Sequence, residues 1–189
     1  MKHALIVALA LVASPVAADP VIKGLVAECG RSFEGRVVTE DPADRDFATS
    51  RLVMHVRGCE AHEVRIPFHV GEDRSRTWII TRTNTGYRLK HQHLKEDGSP
   101  DVLTNYGGDS VREPQPLEGG GTRIEFPADQ ESKTLFEREG IPQSMANIWA
   151  IEHVPGRLYV YELKRPNRHL RVEFDLTTPV ATPPAPWGG

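Results

Sequence analysis

His91, Gln92 and His93 are the most chemically able stretch of this chain. Alternate residues of a strand point to one face, so an HxH pair aims two imidazoles the same way, at a spacing a metal ion bridges. Asp97 and Asp101 follow and could add oxygen ligands. The pair also lies in the charged run LKHQHLKED, where two histidines simply suit the wet mouth of a hairpin. We take the second reading and expect no metal or other cofactor, with His91 and His93 as the ligands to test if a metal is found.

The segment from Arg76 to Asp109 must position these rings. Thr77 to Thr83 and Tyr87 to Leu94 are rich in β-branched, aromatic and long apolar residues. Asn84-Thr85-Gly86 separates them, which reads as a hairpin with Gly86 at positive φ. Asp97-Gly98-Ser99-Pro100 signals a second turn, after which Val102 to Tyr106 reads as the returning strand of a meander. A loop over Asp97 to Pro100 sets His91 opposite Tyr106 and His93 opposite Thr104. On the other side two registers stay open. Turn chemistry pairs Ile79 with His91; burial favours a slip that pairs Trp78 with His91 and Ile80 with Leu89. Tyr87, Leu89, His91 and His93 share what should be the inward face.

Gly86, His91, His93 and Glu96 or Asp97 resemble the first motif of the cupin family, which also has a Gly, an HxH pair and an acid on consecutive β structure. That resemblance implies a jelly roll and a metal-dependent enzyme centred on His91 and His93. The chain departs from the motif. Gly86 lies one residue too close, no Gly follows the acid at the family's interval, and no second motif with a later His appears, since His153 precedes Pro155-Gly156.

Met1 to Ala18 has a positive Lys2, an apolar run and a small-residue end, the pattern of a secretory leader cleaved between Ala18 and Asp19. The expected product is soluble and periplasmic or secreted, because no other apolar run is long enough to span a membrane. Without Lys2, 22 of the 23 basic residues stand against 26 acidic ones, and no basic stripe suggests nucleic acid. Cys29 and Cys59, in a chain bound for an oxidising compartment, should form one disulfide.

Further strands are expected at Phe33 to Val38, Arg51 to Arg57, Glu63 to Val70, Thr122 to Phe126, Asn147 to His153, Leu158 to Leu163 and His169 to Leu176. Pro67 cannot donate to a ladder and suggests an edge or bulge. Asp129 should cap one short helix through Glu139, Arg112 to Gly121 reads as a mobile loop, and residues 178–189 form a Pro-rich extended tail. Residues 19–177 then make a single all-β domain, an antiparallel meander β-barrel of about ten strands. In architecture it resembles the lipocalin (calycin) and fatty-acid-binding class of up-and-down barrels.

The short signatures of hydrolases, zinc proteases and nucleotide-binding loops are missing, which leans away from an enzyme. His55 and His69 read as satisfied or exposed histidines. Arg165, Arg168 and Arg171 could hold an anion or simply be solvated. Trp149, Tyr159 and Tyr161 read as core or barrel lining. The function expected is binding of a small, largely apolar ligand in the barrel mouth, with Trp78, Arg82, His91, His93 and Tyr106 as the contacting residues. The alternatives are the cupin-like enzyme and a non-catalytic envelope protein whose tail, near Trp187, binds a partner surface.

Overall fold

The computed structural model describes residues 19–189, so the expected leader and the Ala18 side of its cleavage site lie outside the described residues. Twelve strands follow one another as β1 (Ser32–Val37), β2 (Leu52–His55), β3 (Gly58–Cys59), β4 (Glu63–Val70), β5 (Asp73–Arg82), β6 (Tyr87–His93), β7 (Tyr106–Asp109), β8 (Gln115–Leu117), β9 (Gly121–Pro127), β10 (Ile148–Val154), β11 (Leu158–Arg165) and β12 (Arg168–Val180). Among the described residues three short helices accompany them, α1 (Pro20–Val26), α2 (Arg45–Thr49) and α3 (Gln130–Arg138), where one was expected.

Eleven strands form one antiparallel sheet in the order β7-β6-β5-β4-β2-β1-β12-β11-β10-β9-β8, with β3 added beside β4. The sheet curls through 278° into an open half-barrel, so the expected meander is present and the expected closure is not. The first and last strands pair in the middle of the sheet, which leaves β7 and β8, neighbours in sequence, as its free edges. Part of the gap is bridged without strand pairing. The Asp129 N–H donates to the Gly107 carbonyl at 2.9 Å, while the buried Ser132 hydroxyl accepts from the Gly107 N–H at 2.7 Å and donates to its carbonyl at 3.0 Å. A side chain at Gly108 would place its Cβ 1.8 Å from the Pro127 carbonyl oxygen, so this approach needs glycine.

Alternation along the strands turns Phe33, Phe68, Trp78, Phe126, Trp149 and Phe174 inward as the bulk of the core, each at most 2 % exposed. Pro67 sits where β4 passes from its β3 partner (through Arg65) to its β2 partner (from Phe68), so its missing N–H leaves no ladder bond unmade.

One end of the barrel is plugged. Asp19 caps α1, accepting from the N–H groups of Val21 and Ile22, and Pro20 occupies the first turn. The same carboxylate accepts from the Tyr87 hydroxyl at 2.7 Å and pairs with Arg82 at 2.8 Å. Val21, Ile22 and Leu25 enter the core, and the expected Cys29–Cys59 disulfide ties the segment after α1 to β3. On the outer face Arg123, Glu152, Glu162 and Arg171 form a charge ladder across β9 to β12, with contacts of 2.6 to 2.8 Å.

Two other expectations are corrected. Residues 115–117 of the expected mobile loop pair with β9 as an edge strand, and β12 runs on to Val180, into the expected tail. The rest of the tail lies along its own domain: the Trp187 N–H donates to the Arg74 carbonyl and Arg74 donates to the Ala185 carbonyl, both at 3.1 Å. Extended Pro-rich chain keeps free backbone donors and acceptors, and here some of them find partners beside β5.

Candidate functional site

The open end of the barrel holds a cavity of about 630 Å³. Its floor is set by the β5–β6 hairpin, where Trp78 pairs with His91 and Ile80 with Leu89, the register that burial favoured. Residues 83–86 form the connection, so the loop is one residue longer than Asn84 to Gly86 and every side chain keeps its inward or outward sense. On the far side His91 pairs with Tyr106, and the His93 N–H donates to Thr104 Oγ1 at 2.8 Å. Val102 to Tyr106 is nevertheless not a strand. Asp101 folds back to accept the Leu103 N–H and Asn105 takes a positive φ of 57°, so β7 begins only at Tyr106.

This register assembles a compact polar cluster inside an aromatic wall. His91 is 3 % exposed and uses both ring nitrogens: Nδ1 donates to the Tyr106 carbonyl at 3.2 Å, so Nε2 accepts from the Tyr161 hydroxyl at 2.9 Å. The Tyr106 hydroxyl bonds His93 Nε2 at 3.1 Å. The Tyr106 ring stacks on His91 at 4.7 Å, and the Trp78 and Tyr161 rings stack at 4.5 Å. Burial pushes the His91 pKa down to about 3, helped by the neighbouring His93, and burial with the Arg76 charge takes His93 down to about 4. Burial raises Tyr106 to about 12 and also takes Tyr161 well above the ordinary tyrosine range. At neutral pH all four groups are therefore uncharged, and they serve as fixed hydrogen-bonding groups in an apolar wall.

Of the residues singled out in the sequence, Trp78, His91, His93 and Tyr106 come together on the cavity wall. Arg82 does not. It lies toward the plugged end, paired with Asp19, donating to the Thr83 and Gly86 carbonyls and covering the Tyr87 ring. Asp101 reaches the rim, but no group of three His, Cys, Asp or Glu residues suited to a metal occurs among the described residues. His69 and His153 are buried elsewhere, each with an Nε2 that has no partner. Tyr161 and Trp149 line the cavity, whereas Tyr159 is buried deeper in the core.

Sequence reasoning missed three contributors. Phe47 arrives on α2, a helix of five residues too short to show a period. Phe136 arrives on α3, whose Asp129 cap was read correctly without its bearing on the cavity. Trp187 arrives from the tail and lies on its own barrel mouth; a lone large aromatic in a Pro-rich stretch was the available signal. No family model matches this chain, and no curated protein or solved structure matches it.

Proposed function

We propose that this protein is an exported binding protein that holds a small, largely apolar molecule in the mouth of its half-barrel. The observation that carries this reading is the cavity itself. Its size, about 630 Å³, falls within the usual range for small-molecule sites, and it combines aromatic walls with a few fixed polar groups. Trp78, Trp149, Tyr161 and Phe136 supply apolar surface, while His93 and Tyr106 supply orienting polar groups. The disulfide is consistent with an oxidising compartment, and no helix among the described residues is long and apolar enough to cross a membrane. The leader-like pattern of residues 1–18 and that bridge both support a periplasmic or secreted address.

The cupin-like reading has less support. Meander connectivity is not that of a jelly roll, and both nitrogens of His91 are engaged by protein partners. The test is titration with N-phenyl-1-naphthylamine, a neutral probe that fluoresces in apolar surroundings. One molecule per chain should bind to the wild type, and Leu163→Trp, which fills the cavity from β11, should abolish uptake while leaving the melting temperature within a few degrees. Folded wild type that takes up neither this probe nor 2-naphthoate nor 2-naphthylmethanol refutes the reading.

A further inference from the structure

The aromatic wall does not account for the charge at the cavity mouth. The turn Arg165-Pro166-Asn167-Arg168 joins β11 to β12, with Pro166 at its first corner and Asn167 at its second, where φ is 61°. That turn makes Arg165 and Arg168 the last cross-strand pair, directly opposite each other. Alternation from Tyr161 and Leu163 turns both toward the cavity, and both line it. Like charges facing each other on a sheet repel. Arg168 is relieved by Asp44, a carboxylate only 1 % exposed. Arg165 makes no ion pair among the described residues and donates only to Ser144 Oγ, at 2.8 Å. Partial burial and the adjacent Arg168 pull its pKa down, outweighing the opposite pull of Asp41 and Asp44, neither of which forms an ion pair with it.

Arg76 is matched by Asp73, and Arg168 Nε and the Trp187 indole N–H are buried donors without partners; the buried unpaired acceptors beside them are Asn147 Oδ1 and Asp44 Oδ2, and the carboxylates of Glu96 and Asp101 stand elsewhere on the cavity lining. Resting on the cavity reading above, we propose that the ligand is an organic carboxylate with an aromatic body, its charged end taken by Arg165 and its rings lying against Trp78, Trp149 and Tyr161. A guanidinium presents paired N–H groups in the geometry a carboxylate accepts, and a bound carboxylate would give Arg165 the direct ion pair that it does not make among the described residues. Arg171, grouped with these two by sequence, plays no part: it belongs to the outer ladder with Glu152 and Glu173.

The experiment is calorimetric titration at neutral pH with 2-naphthoate and its neutral counterpart 2-naphthylmethanol, on wild type, Arg165→Gln and Arg165→Lys, with melting curves as the control for folding. The wild type should bind the acid at least about tenfold more tightly than the alcohol, as expected of a charge-assisted hydrogen bond. Arg165→Gln should erase that preference and Arg165→Lys should keep part of it. An alcohol that binds as well as the acid, or a preference unchanged in Arg165→Gln, overturns the carboxylate assignment and leaves the cavity reading standing. So does a wild type that takes up the neutral naphthylamine probe but neither naphthalene compound. Should Arg165→Gln not fold, the acid-to-alcohol ratios of wild type and Arg165→Lys decide. If none of the three compounds binds wild type, the cavity reading fails, and the carboxylate assignment fails with it.

Discussion

At the plugged end of the half-barrel a capped helix drives Val21, Ile22 and Leu25 into the core and a disulfide holds its exit. At the open end the corresponding space is left to a cavity, rimmed by arginines and partly covered by one tryptophan from a segment without regular structure. Both ends are walled by the same strands, so the difference lies in what the chain lays across them. Tyr87 and His93 show it on β6 alone. One bonds the cap of α1 and the other bonds a tyrosine in the cavity wall. The contrast teaches that covalent and helical closure has been placed at one end, leaving the other open.

The comparison breaks most sharply at the disulfide. Replacing Cys29 and Cys59 by Ser should cost about 3 to 4 kcal/mol in the chain-entropy model for a loop of this length, read from urea midpoints. A loss below about 1 kcal/mol would mean that the plugged end is not where the fold is secured. Next in size is Leu25→Ala, 1 % exposed in α1, which should cost about 2 to 4 kcal/mol. The same truncation of the partly buried Leu163 at the mouth should cost at least about 1 kcal/mol less, and equal losses would erase the distinction.

A pH series sharpens the comparison, because each end buries a histidine: His153 against α1 and His91 in the cavity wall, with pKa values lowered to about 4 and about 3 by burial. Unfolded, both titrate near 6.5, so between that value and the folded pKa the unfolded chain binds more protons and stability falls as pH falls. Each ring should contribute about 2 kcal/mol of loss between pH 7 and pH 5. His153→Gln should therefore lose that much less than wild type over the interval, and an unchanged pH slope would exclude it as a source. Glu162 works in a lower window. Burial alone would raise it, but hydrogen bonds from Arg123, His169 and Lys164 hold it down to about 2, so its contribution is present above about pH 4.5 and disappears as pH falls through about 2.

The smallest effect on stability is expected at Trp187. Trp187→Ala should shift it by about 1 kcal/mol or less, since the side chain is only half-buried, while speeding both uptake and release of the naphthylamine probe in stopped-flow traces. Unchanged rates would mean that the tail does not gate the cavity.

What the sequence made legible follows from where local signals were strong. The bounds of β4 and the Asp129 cap of α3 agree with the reading, because alternation and capping are written in adjacent residues. The pairing of Trp78 with His91 was reachable only by weighing burial against turn chemistry, and burial prevailed. The helix α1 was missed because seven residues carry too little periodicity, although Asp19-Pro20 held its start signal. The joining of Arg165 with Phe47 and Trp187 on one wall depends on curvature accumulated over the whole sheet, which no local pattern expresses.

The pairing of β1 with β12 also dictates an order of events. Strands β4 to β7 and β9 to β11 each zip to a neighbour close in sequence, so two meanders can form early at little cost in chain entropy. The clasp that joins them needs the last strand of the chain to find the first, the pairing with the largest loop to close. A chain emerging N-terminus first must therefore carry β1 with one edge unsatisfied until β12 has also emerged. That half-made sheet, rather than the finished cavity, is the state most exposed to aggregation.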